Sequence, residues 1–76
     1  MLEKAIQFFE KEYEGTKEYL KNNPDFSLER RERIIADSVR MCLGISFFVQ
    51  DCGVEFDDID KAYLEISEKI KNLIYI

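Results

Sequence analysis

The chain has 76 residues, 46% of them hydrophobic and 36% charged, with a formal net charge of −5. That length makes one domain near the lower limit for a self-sufficient core, and the mix is globular rather than disordered. One Pro and three Gly are too few turn residues for an all-β chain, and no apolar run approaches the roughly 20 residues that span a bilayer.

From the start, Leu2, Ile6, Phe9, Tyr13, Thr16 and Leu20 recur at alternating spacings of four and three, which is one helical stripe. Ala5 and Phe8 widen it and Tyr19 flanks it, while Glu3, Lys4, Glu10, Lys11, Glu14 and Glu18 take the opposite face. Glu14 and Lys17 are spaced for an i,i+3 pair. Gly15 costs up to ~1 kcal/mol inside a helix, so it is expected at a bend or a close approach. The helix is expected to stop at Asn22-Asn23-Pro24-Asp25, because Pro24 biases Asn23 away from helical geometry and Asn caps C-termini well.

Ser27 is the best N-cap for a second helix, with Asp25 the alternative. Ile35, Val39, Cys42, Ser46 and Val49 form one stripe, and Ile34, Met41, Ile45, Phe48 and Cys52 form a second beside it. Leu43 and Phe47 cover a further side. Ser38, Cys42 and Ser46 make a row of small side chains that lets helix axes approach, and Gly44 offers the same on the opposite face. The stretch from Met41 to Val49 is therefore apolar all round, the pattern of a helix that is central in a core or shared with a second chain.

Gly53 is expected to end this helix in the left-handed conformation, with Val54 folding back on Val49 as in a Schellman motif. Asp57 as N-cap with Asp60 three residues on would open a third helix. Ile59, Tyr63, Ile66, Ile70 and Leu73 give its stripe, widened by Ala62 and Ile74. Asp58 and Asp60 near its start and Lys69 and Lys71 near its end suit the dipole, and Glu65 is spaced to pair with Lys69. The apolar end Leu73-Ile74-Tyr75-Ile76 is expected to pack against something. The fold read from these patterns is all-α, a single-domain antiparallel three-helix bundle with helices near 2–22, 28–52 and 58–74. Short connections favour antiparallel neighbours.

Leu43-Gly44, Phe48, Gly53-Val54, Phe56, Asp57-Asp58 and Tyr63 together resemble small uncharacterised proteins of bacterial genomes, phages and mobile elements. The resemblance covers the second half of the chain and is carried mostly by helix-end residues. It implies no activity.

Catalytic residues are not evident. His and Trp are absent, and neither the serines nor Cys42 and Cys52 have a base at a suggestive spacing. Asp57, Asp58 and Asp60 are explained by helix capping. No calcium loop or Gly-rich phosphate loop is present, and two separated Cys without His do not make a metal site. No cofactor is implied, and the chain reads as a non-enzyme. On one helix the two thiols stand about 15 Å apart, at ~1.5 Å per residue, too far to bond to each other. Two buried free thiols are expected. Met1-Leu2-Glu3-Lys4 does not begin as a signal peptide does, so a soluble cytoplasmic protein is expected.

Two surfaces remain. Arg30, Arg31, Arg33 and Arg40 lie in the first half of the second helix, where positive charge opposes the dipole. Ion pairs of Arg33 with Glu29 and Asp37 are the structural explanation; an anion-facing patch is the functional one. Against nucleic acid, a helix-turn-helix built from the second and third helices would point Asp57, Asp58 and Asp60 at phosphate. Acids also outnumber bases most in residues 54–76, six against three. The second surface is Leu43, Gly44, Phe47 and Phe48. Two flanking helices cover about two sides of the middle one, which leaves this side, with Ala36 and Arg40 above it, for self-association. Together with the small core, this predicts a protein-protein interaction module or accessory factor, homodimeric through the middle helix. Docking on another protein is a further possibility, and the alternative function is a small nucleic-acid-associated regulator using the arginines.

Overall fold

A computed structural model describes residues 1–76. The chain is all-α: α1 spans Leu2–Asn22, α2 spans Leu28–Asp51 and α3 spans Phe56–Lys71, followed by a 3-10 turn at Asn72–Tyr75. Each helix packs on the other two, and there is no strand. Side-chain contacts give the directions. Ala5 and Phe8 lie beside Ile45 and Val49 while Thr16 meets Ser38, and the start of α2 at Arg31 reaches the chain end at Ile76, so α2 runs antiparallel to both neighbours. Helices α1 and α3 therefore run parallel, with Ile6 and Phe9 beside Ala62 and Ile66 and Glu10 meeting Lys69. The bundle measures 42 × 17 × 15 Å.

The helix ends follow from local chemistry. Asn23 caps α1, and its Nδ2 donates to the Tyr19 carbonyl at 2.9 Å. The Ser27 hydroxyl accepts from the Arg30 N–H at 3.2 Å and starts α2. At the other end Val54 N–H donates to the Val49 carbonyl and Gly53 N–H to the Gln50 carbonyl, both at 3.0 Å. That is the pair of bonds that defines a Schellman motif. Gly53 makes it possible at φ +100°, where a side chain would be strained. Gly53→Ala is expected to cost about 1 kcal/mol, read as a lower urea midpoint than that of the unmodified protein. Equal midpoints would contradict the assignment.

Helix α3 begins earlier than the carboxylate pattern indicates. Its N-cap is Glu55, with no side-chain cap bond, and Asp57 and Asp58 lie in the first turn. The Schellman turn already reverses the chain at Val54, so no further linker is needed. The acids act on the dipole rather than as a capping box. The helix gives way at Lys71 to the 3-10 turn, which buries Leu73 while Tyr75 stays exposed.

Ten buried hydrophobic residues form the core, among them Phe9, Leu20, Cys42, Ile59 and Ile70. In α1 the buried line runs Ala5, Phe9, Thr16 and Leu20, and Ile6 lies outside it at 39% exposed. At this level a methyl group fits the core, and the larger Ile6 is turned to the rim of the α1–α3 groove with Ala62 and Ile66. Helix α1 is continuous through Gly15, and a Cβ there would meet nothing within 4 Å, so Gly15 marks neither a break nor a close approach.

Candidate functional site

Helix α2 holds the candidate surfaces. One stripe faces the core as its pattern requires: Ile35, Ser38, Cys42, Ser46 and Val49 are buried. The second stripe does not. Ile34 and Ile45 are half-buried at the α1 seam, whereas Met41 is 52% and Phe48 58% exposed, and Cys52 is exposed too. A three-helix bundle covers only the arc of α2 between its two neighbours, and these positions fall just beyond it. Phe47 is 58% exposed, Gly44 is exposed and Leu43 is half-buried.

The outcome is an apolar face on α2, centred on Gly44, Phe47 and Phe48 and extended by Met41. Nothing charged interrupts it from Met41 to Gln50. Through Phe48 it continues into a shallow groove with Met1, Ala5 and Phe8 of α1. Two Phe rings more than half exposed present roughly 100 Å² each. Together with Met41 and the groove, the face reaches the size of few hundred Å² at which an apolar patch commonly marks an interface. The part missed in the sequence was Met41 and the α1 groove. Met41 had the spacing of a core residue, and only the positions of the neighbouring helices distinguish the two.

The four arginines do not form one surface. Arg30 stacks its guanidinium over the Phe26 ring at 4.1 Å, and Arg31 donates to the main-chain oxygen of Ile76 at 2.7 Å. Arg33 pairs with Glu29 at 3.5 Å and Arg40 with Asp37 at 2.9 Å. Arg33 thus takes one of its two possible acids, and Asp37 turns to Arg40. Arg30, Arg33 and Arg40 share one face of the helix at spacings of three and seven, together with Asp37, and Arg31 alone lies off it. Arg31 in effect ties the C-terminal apolar segment to α2. Lys69 likewise leaves Glu65, reaching across to Glu10 at 3.6 Å and lying over the Tyr13 ring at 4.5 Å.

A polar chain crosses the α1–α2 seam. Thr16 Oγ1 donates to Ser38 Oγ at 2.9 Å, and Ser38 Oγ donates to Glu12 Oε1 at 3.1 Å. No buried side-chain nitrogen or oxygen lacks a partner. Glu12 was overlooked in the sequence, although it stands three residues after Phe9 and four before Thr16, on the apolar face. An acid at that spacing is the signal of a polar contact inside a seam. Cys42, with no exposed surface, lies close enough to feel the Glu12 charge. Burial first, and that negative charge second, push its thiol from 9.0 up to about 11. Cys52 is free as well, but exposed at the end of α2, which corrects the expectation of two buried thiols. At neutral pH a maleimide is expected to modify Cys52 alone in the folded protein and both thiols in urea, as read by mass spectrometry. Rapid double labelling of the folded chain would contradict the burial of Cys42.

No cluster of His, Cys, Asp or Glu is arranged to hold a metal ion, and no helix is long and apolar enough to cross a membrane. No protein-family model, curated protein or solved structure matches the chain.

Proposed function

We propose that this protein is a non-enzymatic helical interaction module that self-associates through the outward face of α2 and acts as an accessory or regulatory factor. The observation that carries the reading is the joint exposure of Met41, Phe47 and Phe48 on the uncharged stretch of α2 from Met41 to Gln50. Burying such a face removes apolar area from water at about 25 cal/mol per Å². A second copy carries the same face, and two-fold pairing is the commonest way for identical surfaces to meet. Small domains also gain stability by this route, since a partner that binds only the folded state shifts the folding equilibrium.

The two unbonded thiols suit a reducing cytoplasm. The kind of factor proposed is that encoded by bacterial genomes and mobile elements. The arginine-based alternative draws less support, because Arg31 is held by the Ile76 main-chain oxygen and the acids Glu29 and Asp37 sit beside Arg33 and Arg40 on the same face. Sedimentation velocity over a micromolar concentration series tests the reading. Sedimentation that rises with concentration toward a dimer limit is expected. Constant monomer sedimentation, combined with retention on a nucleic-acid column that fades with salt, would favour the alternative.

A further inference from the structure

The outward face of α2 has a polarity as well as an apolar centre. Arg40, Gly44, Phe47 and Asp51 follow one another at spacings of four, three and four, on one line along the helix, and all four are exposed. Between Arg40 and Asp51 there is no charge, so the line has a positive end, an apolar middle and a negative end. Its midpoint lies between Ile45 and Ser46. Asp51 takes part in no ion pair and sits at the end of α2, where the helix dipole disfavours an acid and no basic residue offsets it. Arg40 has only an exposed i,i+3 pair with Asp37, which leaves it available to a better partner.

We infer that the partner at this face is a second copy lying antiparallel, with α2 crossing α2 at the level of residues 45–46. The inference rests on the self-association reading. Arg40 then lies level with the partner's Asp51, and Gly44 with the partner's Phe47; the two-fold axis repeats both contacts. Gly44 carries no side chain and a Cβ there would meet only open space, so an incoming ring can approach the backbone closely. Met41 and Phe48 flank this line on one side and pack against the same flank of the second copy. The parallel alternative sets Arg40 against the partner's Arg40 and Asp51 against the partner's Asp51, and like charges facing each other oppose association. The wider charge distribution agrees. The first part of α2 carries four arginines against Glu29, Glu32 and Asp37, a small positive excess, while Asp51, Glu55, Asp57, Asp58 and Asp60 follow its apolar stretch with no base among them.

Charge reversal tests the arrangement. Arg40→Asp and Asp51→Arg each place like charges opposite at two symmetric points, and each is expected to weaken dimerisation roughly tenfold. The double variant R40D/D51R is expected to return to within about threefold of the unmodified protein, since the two sites are coupled. Sedimentation equilibrium gives the dissociation constants, and circular dichroism checks that helix content is kept. Cys52 supplies a second readout. An antiparallel pair holds the two Cys52 levels about 20 Å apart, at ~1.5 Å per residue, whereas a parallel pair brings them level. Mild oxidation of the unmodified dimer is expected to give no linked species. Single variants that bind normally, a double variant weaker than either single, or full conversion to a Cys52-linked dimer would overturn the antiparallel arrangement and leave self-association standing. A protein that stays monomeric at every concentration would overturn both.

Discussion

Phe9→Ala is expected to cost about 3–5 kcal/mol, the range for truncating a large aromatic in a closed core. Phe9 is 1% exposed and is among the largest fully buried side chains of the bundle. It faces Ala62 and Ile66 across the α1–α3 contact, and helices tied at several levels cannot collapse into the void. At about 0.05–0.15 kcal/mol per residue, a chain of this size has roughly 4–11 kcal/mol in all. The variant should therefore lose a large share of its stability, and with it much of its cooperative transition in urea followed by helical circular dichroism. Ile6→Ala, three residues away on the same helix, should cost less than about 1 kcal/mol, because Ile6 is already 39% exposed. Similar losses at the two positions would mean that α1 is rotated from the orientation described.

Phe47→Glu is expected to give a folded monomer. Phe47 is 58% exposed and lies outside the core cluster, and Glu is a good helix former. The substitution therefore leaves the bundle intact and places a charge at the centre of the proposed contact, where it would be buried without a partner. Helix content should be unchanged, and dimer formation should be lost across the micromolar range. If Phe47→Glu associates as the unmodified protein does, Phe47 is not in the interface. If it unfolds, Phe47 belongs to the core of the single chain.

The bundle was legible in the sequence because three long periodic stripes are punctuated by strong end signals. Ser27 and the Gly53-Val54 pair fulfil those signals atom by atom, through the Arg30 N–H bond and the two Schellman bonds. The rotation of each helix was less legible. The four-three spacing put Ile6 on the central line of α1 with Ala5 at its side, but the packed helices bury Ala5 and leave Ile6 at the rim. Two parallel stripes on α2 looked equally suited to the core, and only the placement of α1 and α3 decides that Ile35 and Cys42 go in while Met41 and Phe48 stay out. Leu43, Gly44, Phe47 and Phe48 stood out as surplus apolar residues because two neighbours cannot surround a helix that is apolar on all sides. The polar chain from Glu12 through Ser38 to Thr16 was missed because a lone acid within a stripe resembles solvated charge until its partner on another helix is known. Of the arginines, Arg30, Arg33 and Arg40 share one face as their spacing indicates, Arg31 leaves it for the chain end, and the acids Glu29 and Asp37 interleave with the three that remain.

The central claim is that the outward face of α2 is covered by a second copy of the chain. Light scattering behind a sizing column, at micromolar protein, measures this directly. A species at twice the 9.1 kDa chain mass for the unmodified protein, falling to 9.1 kDa for Phe47→Glu, is the result expected. A single 9.1 kDa species for the unmodified protein at every concentration loaded would contradict it.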